Sequence, residues 1–329
     1  MTPDPFDTPS SGFGDRLLAI LLLTSAVAAF ALRHRLLTLL LLGSAVAAIG
    51  ALARDPAAPG VWPWEAQASV GRPAARLGLA DYRVQIEAQP IAGVASDVSG
   101  LTYDPDRRTL FAITNKRPEI IELSLQGEVL RRLPVSGLED PEAIEYVAPG
   151  LYVIADERLQ ALLEVRIDET TTAIDTKAAR RLSIGMELNG NRGFEGLAYD
   201  RAADRLFVAK EKKPMRIYEV SGFPSLAGSG ERPLHIANDA KRDAALPVRD
   251  LSSLHFDAAS GHLLLLSDES RLVVEMDAQG RSLARLALRK GRHGLVKNVP
   301  QAEGLAMDDA GRLYVVSEPN LFYAFDRQN

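Results

Sequence analysis

The stretch QAEGLAMDDAGRLYVVSEPNLFYAFDR, residues Gln301 to Arg327, decides the fold. A short apolar alternation (Gly304 to Met307) runs into an acidic turn (Asp308, Asp309, Gly311). A second apolar run (Leu313 to Val316), a polar break (Ser317 to Asn320) and a third run (Leu321 to Phe325) follow. Runs of this length, punctuated by turn-favouring residues, predict three short strands. The same grammar recurs upstream: SGLTYDPDRRTLFAITNKRPEIIELSL from Ser99, EAIEYVAPGLYVIADERLQALLEVRI from Glu142, EGLAYDRAADRLFVAKEKKPMRIYEV from Glu195 and SSLHFDAASGHLLLLSDESRLVVEMD from Ser252. The starts at 99, 142, 195, 252 and 303 lie 43, 53, 57 and 51 residues apart, the period of propeller blades rather than helical solenoids.

Each of the first four repeats carries a further strand-like segment, at 127–135, 177–184, 232–237 and 281–288, and the fifth does not. The orphan segment YRVQIEAQP, Tyr82 to Pro90, is the natural supplier of the missing outer strand, closing the ring and hiding its sheet edges. The expectation is therefore an all-β, five-bladed β-propeller over 81–329. A six-bladed ring remains the alternative, with a degenerate blade in the Gly-, Ser-, Ala- and Pro-rich interval Gly222 to Asp250; that interval reads better as a loop excursion containing one outer strand.

The N-terminal part has a different grammar. Residues 17–32 (LLAILLLTSAVAAFAL) and 36–53 (LLTLLLLGSAVAAIGALA) are uncharged and apolar, separated only by Arg33, His34 and Arg35. As helices they are roughly 24 and 27 Å long, marginal for a ~30 Å hydrocarbon core, so 17–53 reads as a membrane anchor of one or two spans. The basic trio places that junction in the cytoplasm and sends the second run outward, putting the propeller on the periplasmic side of the cell (inner) membrane. A cleaved signal peptide fits less well, because its apolar region would be long and the tail at 1–16 is acidic. The linker at 54–80 is rich in Pro, Ala and Gly; its Trp62 and Trp64 suit either the membrane interface or packing against the propeller.

Composition excludes several functions. A net charge of −5 and the lack of a basic stripe argue against nucleic acid, and the absence of cysteine excludes disulfides, thiolate metal sites and a cysteine nucleophile. The histidines share no ligand spacing, and neither a GxSxG elbow nor a phosphate loop is present. His255, between Leu254 and Phe256 in a strand, reads as a satisfied buried or half-buried histidine rather than a base. Glu122, Glu164, Glu219 and Glu275 recur in the third strand and read as solvent-facing.

Propeller strands alternate direction, so two positions per repeat fall on one face. The first is the start of the inner strand: Ser99, Glu142, Glu195, Ser252 and Glu303, with Asp97 and Asp250 two residues before the serines. The second is the end of the returning strand: Asn115, Glu157, Glu211, Glu269 and Glu318, with Lys210 among the interleaved basic residues. Carboxylates gathered at a channel mouth repel, take up protons or bind a cation, and oxygen-only ligands favour Ca²⁺ or Mg²⁺. Glu142, Glu195, Asp250 and Glu303 are thus candidate metal ligands, and Asn115, Glu157, Lys210, Glu211, Glu269 and Glu318 candidate ligand-binding residues. The competing reading gives the same residues hydrogen bonds and ion pairs within the blades, and spacing does not separate the two. On the opposite face Asp104, Asp200, Asp257 and Asp308 fall in tight turns, where Asp caps its own backbone.

The phrases SGLTYDPDRRTLFAITN, GFEGLAYDRAADRLFVAKEKKP, DLSSLHFD, GHLLLLSDESRLVVEMD and PQAEGLAMDDAGRLYVVSEPNLFYAFDR resemble the SdiA-regulated family of bacterial β-propellers over about 81–329. The resemblance implies a membrane-anchored or exported propeller of unassigned activity, and it brings no catalytic residues. Calcium-dependent lactonases and phytase-like esterases are similar in architecture only. Three functions follow for testing: a tethered module binding a cation, small ligand or envelope protein; a metal-dependent hydrolase of an ester, lactone or phosphoester; and a scaffold without a site.

Overall fold

Five four-stranded antiparallel units build the molecule in the computed structural model, which describes residues 76–184, 193–224 and 233–328. Blade 1 comprises β2 (Val98–Asp104), β3 (Thr109–Thr114), β4 (Glu119–Leu123) and β5 (Val129–Ser136). Blade 2 holds β6 (Pro141–Ala148), β7 (Leu151–Asp156), β8 (Ala161–Arg166) and β10 (Arg181–Ser183); the short β9 (Ile174–Asp175) crosses back to pair in parallel with β5. Blade 3 is β11 (Phe194–Asp200), β12 (Arg205–Lys210), β13 (Arg216–Ser221) and β14 (His235–Asn238), followed by the one-turn helix α1 (Ala240–Ala244). Blade 4 is β15 (Ser253–Asp257), β16 (His262–Ser267), β17 (Leu272–Met276) and β18 (Ser282–Ala287). Blade 5 takes β19 (Gln301–Met307), β20 (Leu313–Glu318) and β21 (Leu321–Arg327) from the C-terminal part and its outer strand, β1 (Tyr82–Pro90), from the start of the propeller.

The closing strand is thus the one the sequence offers. It runs antiparallel to β21 from Tyr82 opposite Arg327 to Pro90 opposite Leu321. The Tyr82 hydroxyl fastens it by donating to the Gly311 carbonyl at 2.7 Å. The inner strands β2, β6, β11, β15 and β19 adjoin in order, and β19 returns against β2.

Hydrophobic burial follows this ring. The core is five clusters, one in each gap between neighbouring blades. Phe111 and Ile113 of blade 1 meet Tyr152 and Ile154 of blade 2, for example, and Val316 and Phe322 of blade 5 meet Leu110 and Ile121 of blade 1. Because each sheet is covered on both faces, β7 and β16 are buried along their whole length rather than on alternate residues.

Inner strands approach closely around a five-fold channel, and glycine marks the contact. A Cβ on Gly100 would lie 2.6 Å from the Ala143 Cα, one on Gly196 2.9 Å from the Leu254 nitrogen, and one on Gly304 2.7 Å from the Ser99 carbonyl oxygen. The same position is Ala143 in blade 2 and Ser253 in blade 4, whose hydroxyl accepts from the Leu305 N–H at 3.2 Å. Small residues here let the ring close at five.

The third-strand glutamates correct the solvent-facing expectation. Glu122, Glu219 and Glu275 are buried. Glu122 pairs with Arg131 at 2.8 Å, Glu275 with His262 at 2.7 Å, and Glu219 with both Arg205 (3.0 Å) and Arg242 of α1 (2.6 Å); half-buried Glu164 pairs with Arg180 at 3.5 Å. Neighbouring blades cover the faces on which these side chains lie.

Among the described residues no helix is long and apolar enough to cross a membrane. The expected anchor at 17–53, the tail at 1–16 and Trp62 and Trp64 of the linker lie outside the described residues.

Candidate functional site

At one end of the channel, the upper mouth, the inner strands begin with Ser99, Glu142, Glu195, Ser252 and Glu303, as the spacing requires. Glu142 accepts from the Ser99 hydroxyl at 2.9 Å and from the Asn115 amide at 3.2 Å. Burial pushes its pKa up to about 8 against these two stabilising bonds. Burial likewise takes Glu303 up to about 8. Glu195 has no hydrogen-bond donor among the described residues, and burial, with Glu142, Glu211 and Glu303 nearby, holds its pKa well above the carboxylate range. No basic side chain among the described residues donates to any of the three.

The surrounding candidates separate into two groups. Asn115 and Glu157 face the ring. Glu157 accepts from the Gly193 N–H at 2.7 Å, and burial raises its pKa, with Asp140 and Glu211 adding to the rise. Glu318 is half-buried, and burial together with the Asp97 charge raises its pKa. The others are engaged elsewhere. Lys210 Nζ donates to the carbonyls of Lys212 (3.2 Å), Lys213 (3.2 Å) and Pro214 (3.4 Å), holding its own turn. Glu211 and Glu269 share the Lys212 ammonium. Asp250 accepts from the Ser267 and Ser252 hydroxyls and the Glu269 N–H, which ties the start of blade 4 together.

Among the described residues Asp140, Glu142 and Glu157 gather ligand-type oxygens, one from each lying within 4.8 Å of the others. Oxygens on opposite sides of one Ca²⁺ stand about 4.8 Å apart, so this spacing fits a shared hard cation. Asp140 was missed at the sequence level; it precedes Pro141, two residues before Glu142, and its carboxylate is also within 3.1 Å of Arg158.

The lower mouth is built from the same strands. Asp104, Asp200, Asp257 and Asp308 cap its turns as expected; Asp308, for example, accepts from the Ala310 N–H at 3.0 Å and the Arg312 N–H at 2.9 Å. Between these turns opens a cavity of about 1120 Å³. Its collar is one residue per inner strand: Tyr103, Tyr146, Tyr199, Phe256 and Met307. The tyrosine hydroxyls are anchored on Asp309 (3.3 Å), Asp106 and Asp204. One step deeper lie Glu145 and His255, which motif reasoning about the upper face did not reach. Glu145 accepts from the Thr102 hydroxyl and the Tyr199 N–H, both at 3.0 Å, and burial still lifts its pKa to about 8. His255 is half-buried, as the sequence allows, but it is not satisfied: neither ring nitrogen has a partner among the described residues, and burial lowers its pKa to about 4.

Comparison with solved structures places three proteins near this fold. A streptogramin B lyase matches with a TM-score of 0.43 at 7% identity, over 75% of this chain and 98% of the lyase. A luciferin-regenerating enzyme matches with a TM-score of 0.46 at 11% identity, over 73% and 95%. A nidogen–laminin complex gives 0.44 at 15%, over 72% and 85%. At these scores they say nothing of chemistry. In sequence, the family described as SdiA-regulated matches residues 74–326, which takes in all five blades and the closing strand; the chain belongs to the SdiA-regulated family.

Proposed function

We propose that the upper mouth binds a divalent cation, Ca²⁺ before Mg²⁺, and that the propeller uses it to hold a small ligand or an envelope protein at the face of the membrane. One observation carries this reading. Three inner strands bring Glu142, Glu195 and Glu303 to one mouth, where burial raises all three pKa values and no basic side chain among the described residues compensates them. Such carboxyls either keep a proton or exchange it for a cation. The donors are all hard oxygens, and Asp140, Glu142 and Glu157 already have the spacing for one ion. Ser99 and Asn115 hold Glu142 in place from two sides.

A metal-dependent hydrolase shares these groups. What favours it is Glu195, which accepts from no donor among the described residues and whose pKa is raised by burial and by the neighbouring Glu142, Glu211 and Glu303, the kind of perturbed carboxyl that serves as an acid or base. The apolar runs 17–53 are the basis for tethering the chain, with the propeller on the periplasmic side.

Calorimetric titration of the full-length protein with Ca²⁺ at pH 8 tests the cation. Saturable binding, weakened about tenfold or more in Glu142→Gln and in Glu195→Gln, is the expected result. Absence of any heat of binding in a folded protein rejects it. Calcium-dependent turnover of ester, lactone or phosphoester substrates would decide for the hydrolase over the binding module. Alkaline phosphatase fused after residue 328 is active only if that end is exported, which checks the orientation.

A further inference from the structure

The lower mouth is separate chemistry. All five blades line it through the collar, so it lies on the channel axis, at the opposite ends of the inner strands from Glu142, Glu195 and Glu303. Thr102, Glu145 and His255 line it one residue deeper than the collar. A volume of about 1120 Å³ suits an organic molecule rather than an ion or a few waters.

The polar groups narrow the class. Carboxylates on the rim are already engaged: Asp308 by two backbone N–H groups and the Tyr314 hydroxyl, Asp257 by Ser260, Asp326 by the Arg312 guanidinium at 2.6 Å, and Asp309 by Tyr103. Three guanidiniums lining the cavity, those of Arg76, Arg201 and Arg327, donate to no carboxylate among the described residues. Arg201 rests over the Tyr146 ring at 4.8 Å. The charges lining the cavity balance, four guanidiniums (Arg76, Arg201, Arg312 and Arg327) against four carboxylates (Asp257, Asp308, Asp309 and Asp326), and the hydrogen-bond donors left unused by carboxylates are those of Arg76, Arg201 and Arg327. At the floor the groups are neutral around pH 7: the imidazole of His255, with one donor and one acceptor unused, and the largely protonated carboxyl of Glu145.

We propose that this cavity is a second ligand site, for a small organic anion with a planar ring. Its ring packs in the collar of Tyr103, Tyr146, Tyr199 and Phe256, its anionic group meets the Arg201 guanidinium, and a polar group at its far end hydrogen-bonds His255. Anchoring of the tyrosine hydroxyls on Asp106, Asp204 and Asp309 fixes the ring planes before a ligand arrives, which lowers the ordering cost of binding.

Three phenols that differ mainly in charge test the class: 4-hydroxybenzoate, 4-hydroxybenzyl alcohol and tyramine, titrated calorimetrically into the full-length protein at pH 7 with empty-micelle controls. The expected order is anion, then neutral, then cation, with 4-hydroxybenzoate about tenfold tighter than the alcohol, the scale of one charge-assisted hydrogen bond. Arg201→Gln, an exposed turn position that does not threaten folding, removes that tenfold advantage and leaves the alcohol unchanged. His255→Phe weakens all three, and Glu195→Gln at the other mouth changes none. Tightest binding by tyramine, indifference of 4-hydroxybenzoate to Arg201→Gln, or no saturable binding of any of the three overturns the proposal.

Discussion

Gly100, Gly196 and Gly304 show how single positions fix the blade number. Nothing about their side of the strand is loose: a methyl group on any of them enters the backbone of the next inner strand. Gly100→Ala and Gly304→Ala are each expected to destabilise the protein by about 1–3 kcal/mol, the usual cost of overpacking a filled interior, read as a lower midpoint in urea. Glu219 is a different case. Buried Arg205 and Arg242 both rest on its carboxylate, and each keeps a second partner, Asp200 at 2.8 Å and Asp243 at 3.3 Å, so Glu219→Gln weakens a buried network without emptying it and should cost about 1–3 kcal/mol. The exposed Arg132–Glu119 pair should change stability by less than about 1 kcal/mol on Glu119→Gln. Equal losses for the two glutamates would show that Glu219 is not an interior counter-charge.

Among the elements, β1 has the largest leverage, because it alone covers the edge of β21. A chain starting at Ile91 lacks it and exposes Tyr323 and Phe325 of the last cluster, whereas a chain starting at Arg76 keeps it. The shorter chain is expected to self-associate on size exclusion and lose a sharp thermal transition. This strand was legible in the sequence, since four repeats carried a fourth segment, the fifth lacked one and Tyr82 to Pro90 had no other use. The third-strand glutamates were misread because alternation reports which face a side chain takes and not whether another blade covers that face. Arg131, directly opposite Glu122 across the β4–β5 ladder, was the available clue. At the upper mouth spacing placed backbones correctly, but side chains such as those of Asp250 and Lys210 turned into their own loops. The lower collar stood in the repeats as Tyr103, Tyr146, Tyr199, Phe256 and Met307, and a search for charged residues passes over it.

For the whole molecule, the raised carboxyls set the response to pH. Glu142, Glu145 and Glu303 carry folded-state pKa values near 8 against 4.5 for a free glutamate, so the folded protein binds more protons than the unfolded chain between those values. Their contribution is fully present below about pH 4.5 and is lost as pH rises through about 8. Cation-free protein should therefore melt at progressively lower temperature from pH 5 to pH 8.5. Added Ca²⁺ should oppose the loss most at the high end, where its carboxylate ligands are deprotonated, with about 2.7 kcal/mol regained at a hundredfold excess over the dissociation constant. Calorimetric scans across that range, with and without Ca²⁺, check the slope and its reversal.

The closure by β1 also orders events in time. During synthesis the strand ending at Pro90 leaves the ribosome some 230 residues ahead of its partner, which starts at Leu321. At typical rates of elongation the interval is on the order of ten to fifty seconds. Over that interval blades 1 to 4 are added one after another to an open arc, and β1 has no strand to pair with. A ribosome that stalls within blade 5 therefore releases an arc with bare edges at both ends, recognisable to a protease as unfinished, while a chain translated through Arg327 shuts itself in one step.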